Sequence, residues 1–306
     1  MSDTSPRRTV VMTGGTAGLG AHALRRMTAE PGTRVIAGVR GEGRTVPGAD
    51  VLPLDLASLD SVREFAAAVT RETGGSRIDV LVLNAGLQTH PAGRRSVDGY
   101  ELTFAVNHLA HYLLARLLLP RVADGGRLVI TTSDTHDPAI VPFGPRALDP
   151  RALARPGRGG PGSGFRAYSA SKLCNLLTAR SFAALEEVRA RRIAVVAFNP
   201  GLTGGTSLVV RDSPVVRAAT TILTHSVFRV AGRFRPAFAM GTPERAGEAL
   251  AAVALGRVSP PDGRVYVSLV KGEITFPDPS DLARRDDVRD LLWRESAVMT
   301  GLPEGA

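Results

Sequence analysis

The chain is poor in cysteine, lysine, aromatic residues and long apolar runs. Cys174 is the single cysteine among 306 residues, which excludes a disulfide framework and any multi-thiolate metal site. Lysine occurs twice, as Lys172 and Lys271, against 36 arginines. The net charge of +9 and pI near 10.8 therefore rest on arginine, but those arginines are scattered, with no basic run interleaved with aromatics. Nucleic-acid binding is not expected from such a pattern; a cationic surface suits anionic cofactors or substrates better. The leucine cluster from Leu113 to Leu119 is interrupted by Arg116 and falls far short of the roughly 20 apolar residues of a membrane span. The opening residues, with Asp3, Pro6, Arg7 and Arg8, hold no apolar core of a signal peptide. What is present, 43% apolar and 22% charged residues with 33 Gly and 21 Pro, describes a globular chain rather than a disordered or collagenous one. The expectation is a soluble protein of a reducing compartment, cytoplasmic and without a membrane anchor.

Short β-branched runs alternate with amphipathic stretches along the whole chain. Strands are expected at 9–13, 34–39, 49–54, 78–83, 127–132, 193–198 and 265–269. Helices are expected at 18–30, 58–72, 97–121, 167–189 and near 242–255. Strands apolar throughout and separated by helices imply a parallel sheet covered on both faces. The fold class is therefore α/β: a single Rossmann-type doubly wound parallel sheet of about seven strands, with helices on both faces. No internal repeat or interdomain linker divides residues 1–306. Two segments, about 136–164 and 203–241, are long for ordinary connections and follow strand carboxyl ends, where open α/β sheets bind ligands. They are expected to form a substrate rim, with a helix near 213–224.

The first strand runs into Thr13-Gly14-Gly15-Thr16-Ala17-Gly18-Leu19-Gly20. Glycines between the first strand and first helix of a βαβ unit permit a tight turn and close approach of the backbone to a pyrophosphate. The nucleotide-triphosphatase version is excluded, because Gly20 is followed by Ala21-His22 instead of Lys-Ser/Thr. About twenty residues on, the second strand ends in Arg40, with Arg44 close behind. An acidic residue there would bond a ribose 2′-hydroxyl, whereas an arginine suits a 2′-phosphate, so NADP(H) is expected in preference to NAD(H).

Tyr168-Ser169-Ala170-Ser171-Lys172 sets a phenol and an ammonium four apart, on one face of a helix. Ser133 ends the preceding strand, and the long helix after Asn84-Ala85-Gly86 carries Asn107. In this order the motifs resemble the short-chain dehydrogenase/reductase family across nearly the whole chain. Thr13, Gly14, Gly18 and Gly20 match its cofactor glycine pattern, Asp55-Leu56 its adenine-contacting pair, and Asn84-Ala85-Gly86 its structural motif. Asn107, Ser133, Tyr168 and Lys172 match its catalytic tetrad, and Pro200-Gly201 its nicotinamide-side turn. The stretch from Phe104 to His111 is similar to the retinol-dehydrogenase and protochlorophyllide-reductase branch. The sequence departs from the family at Gly205, where a threonine is common, leaving Thr203 and Thr206 as alternatives for the nicotinamide carboxamide.

The resemblance implies an NADP(H)-dependent oxidoreductase acting on a small-molecule ketone or aldehyde, or on the corresponding alcohol, of lipophilic character. Carbonyl reduction needs a proton for the developing alkoxide, and a free tyrosine at pKa about 10 is poorly matched to neutral pH. Lys172, and an oxidised nicotinamide when present, are expected to favour the phenolate and pull the Tyr168 value down, making Tyr168 the general acid or base, while Ser133 bonds the substrate oxygen. Two further roles are implied by the resemblance: Lys172 holds the nicotinamide ribose, and Asn107 positions a water of the proton relay. Two alternatives stand beside this reading: carbon–carbon double-bond reduction, and a non-catalytic NADP(H) sensor.

Several residues read as packing. His108 and His111 lack a nearby carboxylate or cysteine at ligand spacing, so no metal is expected. His136 is a candidate pocket residue, Cys174 a small helix-packing residue, and Trp293 an anchor for the last helix. The stripe of Leu109, Tyr112, Leu113 and Leu117 is either core or the face of a homo-oligomer.

Overall fold

The computed structural model describes residues 8–41, 43–89, 93–157, 160, 162–203, 209–210 and 241–303. The chain opens with β1 (Arg8–Thr13), α1 (Gly18–Thr28), β2 (Thr33–Val39), β3 (Asp50–Pro53), α2 (Leu59–Thr73) and β4 (Ile78–Leu83). A two-residue strand, β5 (Gln88–Thr89), precedes α3 (Leu102–Phe104), a π-helical turn over Ala105–Leu109, and α4 (Ala110–Leu118). Then come β6 (Val122–Thr131), a 3₁₀ turn at Asp134–His136, α5 (Pro150–Ala154), α6 (Ser163–Ala184), α7 (Glu186–Ala190) and β7 (Ala194–Asn199). The remainder holds β8 (Val209–Val210), α8 (Pro243–Ala254), β9 (Tyr266–Val270), β10 (Glu273–Thr275), α9 (Asp281–Arg284) and α10 (Asp286–Thr300).

Eight strands form the main sheet in the order β10-β9-β7-β6-β4-β1-β2-β3. Seven of them are parallel, and β10 adds an antiparallel edge to β9. That eighth strand goes beyond the expected seven. Lys271 (φ 51°) and Gly272 (φ 82°) both take the left-handed turn conformation that closes a tight hairpin.

Alternation along β1 shows why both faces are covered. Val10 and Met12 pack with Leu24 and Met27 of α1 and Leu250 and Val253 of α8. Val11 points the other way, into a core shared with Phe65 of α2, Leu113 of α4 and Leu176 of α6. The stripe of Leu109, Tyr112 and Leu113 is fully buried, with Leu117 packed against that core, so it is interior rather than an oligomer face. The 20-residue run Leu102–Arg121 is long and apolar enough to cross a membrane, yet most of it is buried under the sheet.

Three boundaries differ from the sequence expectation. The helix expected from residue 97 starts at Leu102, because Gly99 (φ 82°) turns the chain and the Glu101 carboxylate accepts from Phe104 N–H at 2.7 Å. The helix expected over 167–189 starts earlier, after Gly162 (φ 75°), and breaks at the extended Leu185, after which Glu186 and Glu187 open α7. Strand β6 begins at Val122 rather than 127, because a register shift between Ile78 and Val80 absorbs the Gly125-Gly126 pair. The helix expected near 213–224 lies outside the described residues.

Candidate active site

Strand order reverses between β1 and β4, so their carboxyl ends open a crevice rather than abutting a crossover. Asn84 ties that edge together. Its Nδ2 donates to Gly14 O at 3.0 Å, its Oδ1 accepts from Thr131 Oγ1 at 3.0 Å, and its N–H reaches Thr13 Oγ1 at 3.1 Å. Two glycines are required by this closeness. Gly14 has φ 70°, and a Cβ there would lie 2.6 Å from Ala85 N; one on Gly20 would lie 1.9 Å from Gly14 O.

Helix α1 begins at Ala17, which supplies no side-chain cap and is followed by no acidic residue in the first turn. By contrast, Ser58 caps α2 and Thr242 caps α8. The first amides of α1 and the positive end of its dipole are thus left for an anion, and glycine keeps the backbone accessible. These residues fit the pyrophosphate of a dinucleotide.

A cleft of about 580 Å³ runs from this turn across the sheet edge. Gly14, Thr16, Gly18, Leu19 and Gly20 line its floor, and Arg40 and Arg44 one end. Asp55 and Leu56 line a side wall, Asn84, Ala85 and Gly86 the middle, and Tyr168, Lys172 and Pro200 the far end. Gly201 is not among the lining residues; it turns the chain at φ 67°, its N–H donating to Asn199 Oδ1 at 3.0 Å. Thr203 Oγ1 donates to Pro200 O at 3.2 Å, and Thr206 lies outside the described residues. No described residue of segment 136–164 lines the cleft. Arg94 and Arg95 do, and sequence reasoning missed them. Their adjacency, soon after Asn84-Ala85-Gly86, was the available signal.

The proposed tetrad is brought together at the far end. Lys172 Nζ donates to Thr131 O at 3.2 Å and lies 5.6 Å from the centre of the Tyr168 ring. Asn107 sits in the π-helical turn, a geometry that often marks functional positions. Its Nδ2 donates to Leu87 O at 2.9 Å and Ser171 Oγ at 3.0 Å, and its Oδ1 accepts from Leu87 N–H at 2.8 Å. The carboxamide therefore braces the loop after β4 against α6. Ser133 is buried at the end of β6, its Oγ donating to Asp134 Oδ1 and accepting from Thr135 N–H, both at 3.3 Å.

The electrostatics correct one expectation. Tyr168 is not acidified in this arrangement: burial pushes its phenol up, the neighbouring Asp134 charge adds to that, and the Ser133 hydrogen bond offsets only part. Lys172 does not counter it, and burial pulls its own value down to about 8. Removing a phenolate from water costs more than an ammonium beyond hydrogen-bonding distance returns.

The histidines take structural places. His108 Nε2 bonds Ser296 Oγ at 2.8 Å. His136 is buried behind Ser133, its Nδ1–H donating to Ser133 O at 2.6 Å and its Nε2 accepting from Ser280 N–H at 3.3 Å. It braces the serine instead of lining the cleft. Trp293 packs edge-on against Tyr112 at 4.9 Å and Phe182 at 5.2 Å, anchoring α10. Cys174 is fully buried in α6, and burial raises its thiol pKa.

The family model for short chain dehydrogenase matches residues 8–140, from β1 through the turn that carries Ser133. The chain belongs to the short-chain dehydrogenase/reductase family. It is an oxidoreductase of that family, of the kind that acts on CH–OH or C=O groups. A polyprenol dehydrogenase of Mus musculus is 29% identical over 319 residues, covering 98% of this chain and 86% of that protein. Protochlorophyllide reductase A of Oryza sativa is 36% identical over 205 residues, covering 56% of this chain and 52% of the plant enzyme. This short-chain dehydrogenase/reductase thus spans about half the length of that plant relative. Its fold is shared with a solved Burkholderia cenocepacia short chain dehydrogenase in complex with NADP, at a TM-score of 0.56 and 22% identity over 81% of this chain and 91% of that one.

Proposed function

We propose that this short-chain dehydrogenase/reductase reduces a ketone or aldehyde of a lipophilic small molecule with NADPH, or oxidises the corresponding alcohol, with Tyr168 as general acid or base. The observation that carries the reading is the meeting of Tyr168, Lys172 and the α1 amino terminus in one 580 Å³ cleft. When bound, the dinucleotide supplies or accepts the hydride. Tyr168 holds the proton that a developing alkoxide takes, and Ser133 offers its hydroxyl to the same oxygen. Lys172 and the uncapped turn of α1 would hold the ribose and the pyrophosphate.

Preference for NADPH is supported by Arg40 and Arg44 at the cleft end, whose guanidinium donors suit a 2′-phosphate. The NADP-bound Burkholderia cenocepacia protein has the same fold. A lipophilic substrate is supported by the mouse polyprenol dehydrogenase, which matches nearly the full chain.

The test is loss of the reduced-nicotinamide absorbance across a carbonyl panel, with NADPH and NADH compared. Tyr168→Phe should still bind NADPH while turnover falls by orders of magnitude; undiminished turnover overturns the assignment. Equal use of NADH overturns the argument from Arg40. The likeness to the rice enzyme favours a second reading, reduction of a carbon–carbon double bond with the same tyrosine as proton donor. Turnover of a conjugated alkene that depends on illumination would select it.

A further inference from the structure

Thr13 ends β1 and is fully buried where the glycine turn begins. Its Oγ1 accepts from Asn84 N–H at 3.1 Å and Ala85 N–H at 3.2 Å, both just past β4, and lies 2.9 Å from His111 Nε2. The other ring nitrogen, Nδ1, lies 3.1 Å from Asn107 O. These contacts admit one arrangement of protons. A carbonyl oxygen only accepts, so Nδ1 carries the hydrogen. The Thr13 oxygen gives both lone pairs to backbone amides, so its own hydrogen goes to Nε2. His111 is thus a neutral imidazole with both nitrogens engaged, joining the end of β1 to the π-helical turn.

At one end of this link is the cofactor cradle. Asn84 Nδ2 holds Gly14 O at 3.0 Å, and Ala85 packs so closely that a Cβ on Gly14 would lie 2.6 Å from its nitrogen. At the other end is Asn107, fully buried in a π-helical turn that closes with Ala110 N–H on Ala105 O. Such turns are rare, and the His111 ring secures this one from the following turn by holding the Asn107 carbonyl. The asparagine in turn borders the lysine: a Cβ on Gly86 would lie 3.5 Å from Asn107 Oδ1 and 3.3 Å from Lys172 Nζ.

We propose that His111 is a positioning residue with two separable duties: through Nδ1 it holds Asn107 in the geometry that turnover needs, and through Thr13 it holds the glycine turn in the geometry that binds the dinucleotide. The inference rests on the reading of Tyr168, Lys172 and Asn107 as the group that handles the proton. Losing the Nδ1 donor frees the Asn107 carbonyl, so the π-helical turn can relax toward α-helical register and carry the carboxamide away from Leu87 and Ser171. A misplacement of about 1 Å can cost a hundredfold in rate. Losing the Nε2 acceptor leaves the Thr13 hydrogen buried without a partner, and the hydroxyl turns away from the Asn84 and Ala85 amides to find one. The two losses can be made one at a time. Counted in bonds from Cα, Asn Nδ2 reaches the position of His Nδ1, and Gln Oε1 reaches that of His Nε2.

The experiment measures the NADPH dissociation constant by fluorescence titration, and kcat at saturating NADPH on a carbonyl compound the parent reduces. It compares the full-length parent, His111→Asn, His111→Gln and Tyr168→Phe. His111→Asn keeps the bond to Asn107, so its NADPH dissociation constant should rise about tenfold, the scale of one buried hydrogen bond, with kcat within about twofold of the parent. His111→Gln keeps the bond to Thr13, so its kcat should fall about tenfold or more while NADPH affinity stays near the parent value. General loosening of the fold would move both variants alike, so parallel changes in the two constants, or no change in either, overturn the proposal. Tyr168→Phe separates the two readings. If it abolishes turnover while the His111 variants fail to divide in this way, Tyr168 keeps its role and His111 loses its own. If Tyr168→Phe retains turnover, both fall. Should the His111 variants fail to fold, nitrogen NMR of the parent histidines decides. A His111 protonated at Nδ1, with an Nε2 signal that moves on addition of NADP⁺, supports the proposal; an unmoved signal or a proton on Nε2 overturns it.

Discussion

Thr13 Oγ1 donates a 2.9 Å hydrogen bond to His111 Nε2, joining the end of β1 to the helix that follows the π-helical turn. His111 Nδ1–H donates at 3.1 Å to Asn107 O, so the imidazole is neutral and bridges the glycine turn to the tetrad asparagine. Burial, together with the Lys172 charge, lowers His111 to about 4, and burial lowers His108 to about 3. Both values fall below the unfolded value near 6.5, so the unfolded chain binds these protons more readily. Their contribution to stability is complete above pH 6.5 and is lost as pH falls toward the folded values. Between pH 6.5 and 5 the loss should be about 2 kcal/mol for each histidine, given folded values of about 4 and 3. Denaturant midpoints at pH 7 and pH 5 measure it. Variants lacking either ring should show a flatter profile, and an equally steep one would contradict the assignment.

Gly20→Ala and Gly15→Ala should separate sharply. A Cβ on Gly20 meets the backbone oxygen of Gly14 at 1.9 Å, and nothing flexible can yield. A Cβ on Gly15 meets Leu24 Cδ1 at 2.5 Å, the far end of a side chain that can shift. Gly20→Ala should weaken NADPH binding at least tenfold and lower the melting temperature, because α1 must move off the sheet edge. Gly15→Ala should cost about 1–3 kcal/mol of stability by overpacking, with NADPH affinity changed less. Fluorescence titration of NADPH alongside thermal melts distinguishes them.

Continuous apolar runs of strand length, set between helical stretches, made the buried parallel strands legible, because a strand covered on both faces is apolar throughout. The misreadings have local causes. Val97 looked like the start of a helix, but it is 81% exposed, in a turn that Asp98 and Gly99 shape. The π-helical turn around Asn107 changes hydrogen-bond register by one residue, which apolar periodicity over a fully buried segment does not reveal. At the site, the Tyr168 and Lys172 spacing was readable because four residues make one helical turn. The sign of the field on Tyr168 was not. It depends first on the burial of the phenol and only then on Asp134, and that burial is built from elements far apart in the chain.

Arg40→Asp tests the cofactor preference. The arginine is exposed at the end of β2, lining the cleft with Arg44, so its removal should leave the fold intact. A charge-assisted, two-pronged contact with a 2′-phosphate is lost and a repulsive carboxylate takes its place. The NADPH dissociation constant should rise about a hundredfold, roughly 2.7 kcal/mol, while NADH affinity stays level or improves. A parallel loss for both nucleotides would show that Arg40 acts on the shared diphosphate instead.

Asn107→Asp is nearly isosteric, yet it exchanges two donors for acceptors where Leu87 O and Ser171 Oγ stand at 2.9 and 3.0 Å. Ser171 already donates to Tyr168 O at 2.7 Å, so it cannot turn to satisfy the new carboxylate. A buried carboxylate facing a carbonyl oxygen is driven to take up a proton, which raises its folded pKa above the unfolded value near 3.9. A raised value means the variant keeps most stability at low pH and loses it as pH rises through the folded pKa. Measured against the parent at each pH, Asn107→Asp should be less stable by about 2–4 kcal/mol at pH 8 and recover part of that deficit at pH 5. Asn107→Ala removes the same bonds without a titratable group, so its deficit should not change with pH. If the two variants behave alike across that range, the Asn107 carboxamide is not the donor that holds the loop after β4 against α6.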